Sequence, residues 1–328
     1  MKTSIPVALL SRFLTIARWA GAGVILTGQL QAAELKVPQR GFTSPAEAVT
    51  ALQSAVAAKD QAALGEIFGP VFRELLTGDA VQDANNAQRF AGAMAQGCQP
   101  VTEGPDKITL EIGTNHWPLP IPLLRVDGQW HFDTAAGKEE IINRHIGKDE
   151  LHAIGVCRAY VAAQRQYAHL NSTLAGGGAA YAQQFKSTPG KRDGLYWPVA
   201  ETEPASPFGP LVAEAQAAGY VPHADAGPHP FHGYYFRIRT RQGPAAPGGK
   251  MDYLTHNDLT RGFALVAYPE HWDRSGIMTF IVNQDGNVFQ RNLRGKTARI
   301  AGAMLDYNPD RDWKLVQDPG VVTAVCEK

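Results

Sequence analysis

Four residues just beyond the first third of the chain have the side-chain types for acid–base chemistry. His116, Trp130, His131 and Asp133 lie within 18 positions of each other. In an extended strand, His131 and Asp133 project from one face and Trp130 from the other. Because neighbours on one strand face are common and no nucleophile completes the pair, we predict no catalytic residue. The four residues are the candidate lining of a pocket if the protein is an enzyme.

A second group of potential ligands lies in a segment rich in proline and glycine. His223, Asp225, His229 and His232 offer imidazole and carboxylate groups, which bind metal ions in proteins. The intervening prolines restrict their convergence, so the pattern favours an exposed polar loop. We therefore predict no metal site and no cofactor. Motifs of the G-x-S-x-G, H-E-x-x-H, P-loop and C-x-x-C types are absent from the sequence.

The segment RQGPAAPGGK, residues 241 to 250, is a candidate binding loop. It is longer than a tight hairpin requires, and Arg241 and Lys250 place positive charge at its two ends. Pro244 and Pro247 stiffen the tip, which lowers the entropy cost of binding. We predict that these residues and the adjoining Tyr253 contact a partner, with a passive connection as the alternative.

The chain has three cysteines, an odd number, so at least one cannot pair within the chain. A Cys98–Cys157 disulfide is one possibility, and Cys326 is free to pair with either residue or with another molecule. The favoured interpretation makes Cys157 a small buried side chain of a helix. Its apolar stripe would contain Leu151, Ile154 and Val161.

The N-terminus has the pattern of a secretory signal peptide over residues 1 to 33. Lys2, Arg12 and Arg18 precede an apolar stretch at 19 to 30, and small residues follow. This stretch is too short to span a bilayer, although an N-terminal membrane anchor is the alternative. Cleavage near Ala32 or Ala33 removes three positive charges and leaves a net charge of about −3 on the mature chain. Such a chain has no general affinity for nucleic acid, and no later segment predicts a membrane span. We expect a periplasmic or secreted bacterial protein.

Residues 34 to 147 predict a first domain with helices followed by strands. Ser44 with Glu47 forms a capping box before one helix, and Asp60 begins the next. The segment NAQRFAGAMAQG reads as a further helix. Strands are expected over residues 107–113, 117–128 and 129–134.

Residues 148 to 328 predict a second domain, in which a long helix starts at Lys148 or Asp149 and runs to about 170. A shorter helix is expected at 211–217, with Gly219 just beyond its end. Four antiparallel strands follow, with a tight turn at Asp285–Gly286. Their expected positions are 233–240, 263–268, 278–282 and 288–289. The overall prediction is an α+β fold.

Several long motifs carry a family resemblance. CRAYVAAQRQYA, GYYFRIRTRQGPAAPGG, GFALVAYPEHWDRSGIMTFIVNQDGNVFQ, WPLPIPLLR and FDTAAGKEEIINRHIG resemble bacterial exported proteins of the domain of unknown function 2950 family, over roughly residues 42 to 316. The resemblance implies an envelope protein without an assigned activity. More distantly, the first part is similar to NTF2-like folds. The second is similar to the globular domains of type IV pilins, although its helix lacks their apolar N-terminal half.

Two functions follow as expectations. The first is a non-enzymatic module that binds an envelope protein, a peptide or a surface polymer through its aromatic-rich strands. Those aromatic residues are Tyr234, Tyr235, Phe236, Tyr253, Phe263, Tyr268 and Trp272. The alternative is a hydrolase or isomerase with a pocket in the first domain. Exposed aromatic side chains would favour the first, and a concave cavity at His116, His131 or Asp133 the second.

Overall fold

A computed structural model describes residues 39–175, 180–200, 202–220 and 229–317. Helices and antiparallel sheets are both present, which confirms the predicted α+β class. Within the described ranges, no helix combines the length and the apolar character that crossing a bilayer requires.

The N-terminal helices begin where local capping signals predict. Helix α1 (Pro45–Ala58) starts after Ser44, whose side chain accepts a hydrogen bond from the Glu47 backbone N–H. Helix α2 (Gln61–Phe68) is capped by Asp60 through the N–H groups of Ala62 and Ala63, and a 3-10 turn (Pro70–Leu75) follows. Helix α3 (Ala80–Gln96) starts six residues before the predicted segment, which begins at Asn86, because Asp79 caps it.

The first sheet is antiparallel and packs on these helices. It contains β1 (Cys98–Gly104), β2 (Lys107–Ile112), β3 (Trp117–Pro118), β4 (Leu123–Val126) and β5 (Gln129–Phe132). The order is β1-β2-β4-β5, and β3 pairs with β2. Leu52, Leu110 and Phe132 are fully buried in the core beneath it. Strand β1 was not predicted.

Helix α4 (Thr134–Ala175) is the longest element, at 42 residues. Its predicted start at 148 was wrong, because Asp133 already accepts a hydrogen bond from the Ala136 N–H and the helix continues through Gly147. Leu151 is 61% exposed and does not belong to the buried stripe. Cys157 does: it is fully buried and packs with Tyr160 in the core, as predicted.

The second sheet follows a short helix, α5 (Gly209–Ala217). Its main strands are β6 (Tyr234–Arg239), β11 (Ala264–Pro269), β12 (Met278–Asn283), β13 (Phe289–Asn292) and β14 (Lys314–Leu315). The order β14-β13-β12-β11-β6 confirms the four predicted antiparallel strands and adds β14. Between β6 and β11 lie the short strands β7 (Arg241–Gln242), β8 (Met251–Asp252), β9 (Leu254–Thr255) and β10 (Asp258–Leu259).

This sheet is covered on both faces. Leu265, Phe280 and Val282 pack in one cluster with residues of α4. Val266 and Ile281 pack on the other face with Ala301 of α6 (Thr297–Ala303). The two sheets remain separate, and α4 connects them.

The turn at Asp285–Gly286 forms as predicted. Gly286 has φ 84° and donates its N–H to the Asn283 carbonyl at 3.0 Å, while Asn283 Nδ2 donates to Asp285 Oδ2. Only glycine adopts this backbone conformation without strain.

Candidate functional site

Polar side chains link helices α3 and α4. Gln82 Nε2 of α3 donates to Asp149 Oδ1 of α4 at 2.5 Å. One turn further along α3, Asn86 Nδ2 lies 3.4 Å from His145 Nε2, one turn earlier on α4. The two pairs therefore run antiparallel, and they place Asp149 beneath α3 near the start of that helix.

Asp149 is fully buried, and one of its carboxylate oxygens is unpaired. Oδ1 has the Gln82 hydrogen bond, whereas Oδ2 has no hydrogen-bond partner among the described residues. Burial raises the pKa of Asp149 to about 7, although the Gln82 hydrogen bond and the charge of Lys148 act in the opposite direction. An unpaired carboxylate oxygen in the interior needs an explanation.

Two histidines approach this carboxylate from different elements. His152 lies one turn after Asp149 on α4, and His232 belongs to the segment before β6. Their ring centroids are 4.1 Å apart. One ligand atom from each of Asp149, His152 and His232 lies within 4.8 Å of the other two, so we call these residues the Asp–His–His cluster.

The two imidazoles are held in the neutral form. Burial lowers the pKa of His232 to about 4, with a further contribution from His152. Burial also lowers the pKa of His152, and the charge of Lys148 adds to the effect. Neutral imidazole is the form that binds a metal ion or accepts a proton.

Aromatic and acidic neighbours hold His232 in place. The rings of Phe231 and Tyr220 make edge contacts with it at 4.4 and 5.1 Å. The Tyr220 hydroxyl lies 3.5 Å from His232 Nδ1 and donates to Asp79 Oδ2 at 2.7 Å. Asp79 Oδ1 in turn caps α3 and fixes the first turn that carries Gln82.

The backbone beside the cluster adopts a demanding conformation. His232 has φ 47° and Gly233 has φ 69°. A Cβ atom on Gly233 would lie 2.6 Å from Ser275 Cβ and 3.4 Å from Asp149 Oδ2. Glycine is therefore required for the chain to pass this close to the carboxylate.

Unpaired buried polar atoms concentrate at this place. Six buried side-chain nitrogen or oxygen atoms of the described residues lack a hydrogen-bond partner. Three of them, Gln82 Oε1, Asp149 Oδ2 and His152 Nδ1, belong to the cluster and its α3 neighbour. Two imidazoles and a carboxylate are a donor set that fits a transition-metal ion or a proton-transferring site.

The predicted pocket residues lie elsewhere and serve separate roles. His116 is exposed and pairs with Glu111 Oε2 at 3.0 Å. Trp130 is buried and pairs its backbone with Phe42, half-buried His131 packs beside Gly41, and Asp133 caps α4.

The predicted binding loop forms a hairpin between β7 and β8, but part of it faces inward. Arg241 Nε donates to Asp306 Oδ1 at 2.8 Å, whereas Pro244, Pro247 and Lys250 are exposed. Tyr253 is fully buried and donates to Gln242 Oε1, so its predicted contact with a partner is not available in this structure. Gln242 Nε2 closes the loop from inside through the carbonyls of Pro247 and Gly249.

The aromatic side chains expected to form a binding face are mostly in the core. Tyr234, Phe263 and Tyr268 are at most 4% exposed. Tyr234 and Phe263 pack in the cluster that includes residues of α4, and Tyr268 packs in the cluster that includes Ala301 of α6.

Of the predicted histidine group, His223 and Asp225 lie outside the described residues, and only His232 is assigned to the cluster. Its partners were missed because they lie on α4. The spacing Asp149-x-x-His152 was the available signal, since positions i and i+3 share a helix face. Cys98 and Cys157 are both free, and Cys326 lies outside the described ranges.

Comparison with known proteins identifies a family and no characterised relative. No curated protein and no solved structure matches the chain. A family model described as "Protein of unknown function (DUF2950)" matches residues 39–316, most of the sequence. The chain belongs to this DUF2950 family.

Proposed function

We propose that this is an exported envelope protein that binds a small ligand at the Asp–His–His cluster. The observation that carries the proposal is that three unpaired buried atoms, Gln82 Oε1, Asp149 Oδ2 and His152 Nδ1, belong to the cluster and to the α3 residue bonded to it. Leaving a buried polar atom unpaired costs about 1–3 kcal/mol, and native proteins rarely keep several in one place. A bound ligand that supplies interaction partners to these atoms offsets the free-energy cost of leaving them unpaired.

The backbone supports the same conclusion. His232 has a positive φ value of 47°, a conformation that costs a non-glycine residue free energy and is found preferentially at functional sites. Stability alone does not account for a second histidine, His232, beside the buried carboxylate of Asp149. The conformation is accounted for if His232 contacts the ligand.

This proposal keeps the binding role expected from the sequence and moves it to a new site. A hydrolase or isomerase at His116, His131 and Asp133 has less support, because these residues take part in separate structural contacts. The export signal at 1–33, the division into two domains and the NTF2-like and pilin-like resemblances remain predictions. Intact-mass measurement of exported protein tests cleavage near Ala32 or Ala33.

Native mass spectrometry of the mature protein, purified from the envelope without chelator, tests the function. We expect the native mass to exceed the denatured mass by one small ligand, and Asp149→Asn to abolish the difference. Thr279→Val is the matched control, because Thr279 Oγ1 is also buried and unpaired but lies on β12, outside the cluster. Equal native and denatured masses for the wild-type protein would contradict the proposal.

A further inference from the structure

We propose that the ligand of the cluster is a single divalent transition-metal ion, held by Asp149, His152 and His232. This inference rests on the proposed function and names the chemical class of the ligand. The geometry that carries it is the approach of one oxygen and two imidazole donors to within 4.8 Å of each other.

The donor types select the class of ion. Imidazole nitrogen suits Zn²⁺, Cu²⁺, Ni²⁺ and Fe²⁺, whereas Ca²⁺ and Mg²⁺ prefer oxygen ligands only. Two histidines with one carboxylate form a common three-residue set for zinc and for non-haem iron. The sequence contributes the set from two elements, because α4 supplies Asp149 and His152 and the segment before β6 supplies His232.

The separations require only a small closure around an ion. Metal–ligand bonds of about 2.0–2.2 Å place tetrahedral donors roughly 3.3–3.6 Å apart. Binding an ion therefore requires the donor atoms to move together by at most about 1–1.5 Å from the 4.8 Å limit. Asp149 needs no such adjustment, since Gln82 already fixes its Oδ1 and leaves Oδ2 available.

An ion also supplies partners to two of the atoms that lack them. Asp149 Oδ2 and His152 Nδ1 are both buried and unpaired, and both are ordinary metal-binding atoms. The Gln82 hydrogen bond to Asp149 Oδ1 matches the outer contacts that orient carboxylate ligands in metal sites. Three protein ligands leave a fourth tetrahedral position open to water or a small molecule.

The charge around the cluster favours a divalent cation. The charged groups that act on the three residues include the carboxylates of Asp79, Asp83 and Glu214 and the cations Lys148 and Arg89. With ionised Asp149, the carboxylates exceed the cations by two. A divalent ion balances this excess, whereas an anionic ligand would add to it.

Zinc titration of the chelator-treated, tag-free mature protein tests the inference, with a chromophoric zinc indicator as competitor. We expect one equivalent of Zn²⁺ to bind. Asp149→Asn, His152→Ala and His232→Ala should each weaken the affinity by at least about 100-fold, since even outer-shell changes cost about 10–100-fold. Gln82→Leu should weaken it by about 10-fold.

His145→Ala is the matched control. His145 lies on α4 two turns before His152, is half-buried and contacts Asn86 rather than the cluster. We expect its zinc affinity to stay within about 3-fold of wild type. Circular dichroism of each variant establishes that the fold is intact. If Gln82→Leu does not fold, comparison of His152→Ala with His145→Ala still tests whether zinc binds at the cluster.

Two outcomes separate this inference from the proposed function. Folded wild-type protein that binds no zinc, cobalt or nickel but retains a native-mass adduct overturns the metal and leaves the ligand site standing. Absence of both the adduct and metal binding overturns both. Equal loss of zinc affinity in His145→Ala and His152→Ala would show that zinc binding is not specific to the cluster and would also overturn the metal site.

Discussion

Asp149→Asn should stabilise the metal-free protein and destabilise the protein relative to wild type when zinc is bound. The substitution keeps the shape of the side chain and removes its charge. In the metal-free protein, the buried carboxylate has its pKa raised to about 7 from the ordinary value of 3.8. Because the folded state holds the proton more tightly, the contribution of Asp149 to stability is fully present below pH 3.8 and is lost as the pH rises to 7.

The magnitude follows from the difference between these pKa values. About three pKa units at 1.36 kcal/mol each mean that the ionised carboxylate destabilises the folded protein by at most about 4 kcal/mol above pH 7. Relaxation of the site reduces this destabilisation to about 2 kcal/mol. We therefore expect Asp149→Asn to raise the free energy of unfolding by about 2 kcal/mol at pH 8. The gain should shrink to below about 1 kcal/mol at pH 4.5.

Urea unfolding in the presence of EDTA measures this difference, with exposed Asp258→Asn as the control. Saturating zinc should reverse the order at pH 8, because only the wild-type protein gains the binding energy. An Asp149→Asn variant that is less stable than wild type by the same amount at both pH values, with EDTA, would refute the reasoning. That result would mean that the carboxylate is paired in the metal-free protein.

Three further predictions concern the surrounding fold. Gly233→Ala should lower the free energy of unfolding by about 2–4 kcal/mol, and Gly286→Ala by only about 1 kcal/mol. Both glycines have positive φ, but a Cβ at Gly233 would lie 2.6 Å from Ser275, whereas a Cβ at Gly286 would meet no atom closer than 3.8 Å. Equal losses of unfolding free energy in urea for the two variants would contradict this difference. Cys157 should resist a bulky thiol reagent in the folded, reduced protein, since burial raises its pKa to about 12; labelling as rapid as that of the urea-unfolded chain would count against its placement. Replacing residues 244–249 with a short Gly/Ser linker should reduce recovery of any copurifying partner if the exposed tip binds one, and unchanged recovery at intact stability would assign the tip no binding role.

The elements that the sequence predicted correctly have local causes. Ser44 and Asp60 each accept a backbone N–H two or three residues ahead, so the signal and the structure lie in the same turn. Gly286 similarly specifies its turn through its own backbone freedom.

The predicted start of α4 at Lys148 or Asp149 directly follows Gly147, a residue type that often marks the end of a helix. Gly147 lies within the helix, where it costs only about 1 kcal/mol and tertiary packing overrides it. Gly137 has a structural reason, since a Cβ there would lie 2.6 Å from Ile121 Cγ1. The contact between Gly137 and Ile121 cannot be deduced from residues near Gly137 in the sequence.

The candidate site was not predicted because its residues come from segments that are far apart in the sequence. Gln82 and Asp149 are 67 positions apart, and His232 joins them from a third segment. Helix periodicity predicts that Asp149 and His152 share a face, but not which element covers it. Only the packing of α3 on α4 brings the unpaired atoms together.

Anomalous X-ray scattering at the zinc edge, from crystals of the mature protein grown with Zn²⁺, tests the central claim most directly. The account predicts one strong peak within about 2.0–2.2 Å of Asp149 Oδ2 and of one ring nitrogen on each of His152 and His232. A map with no peak between these residues, or with peaks only at exposed histidines such as His116, would contradict it.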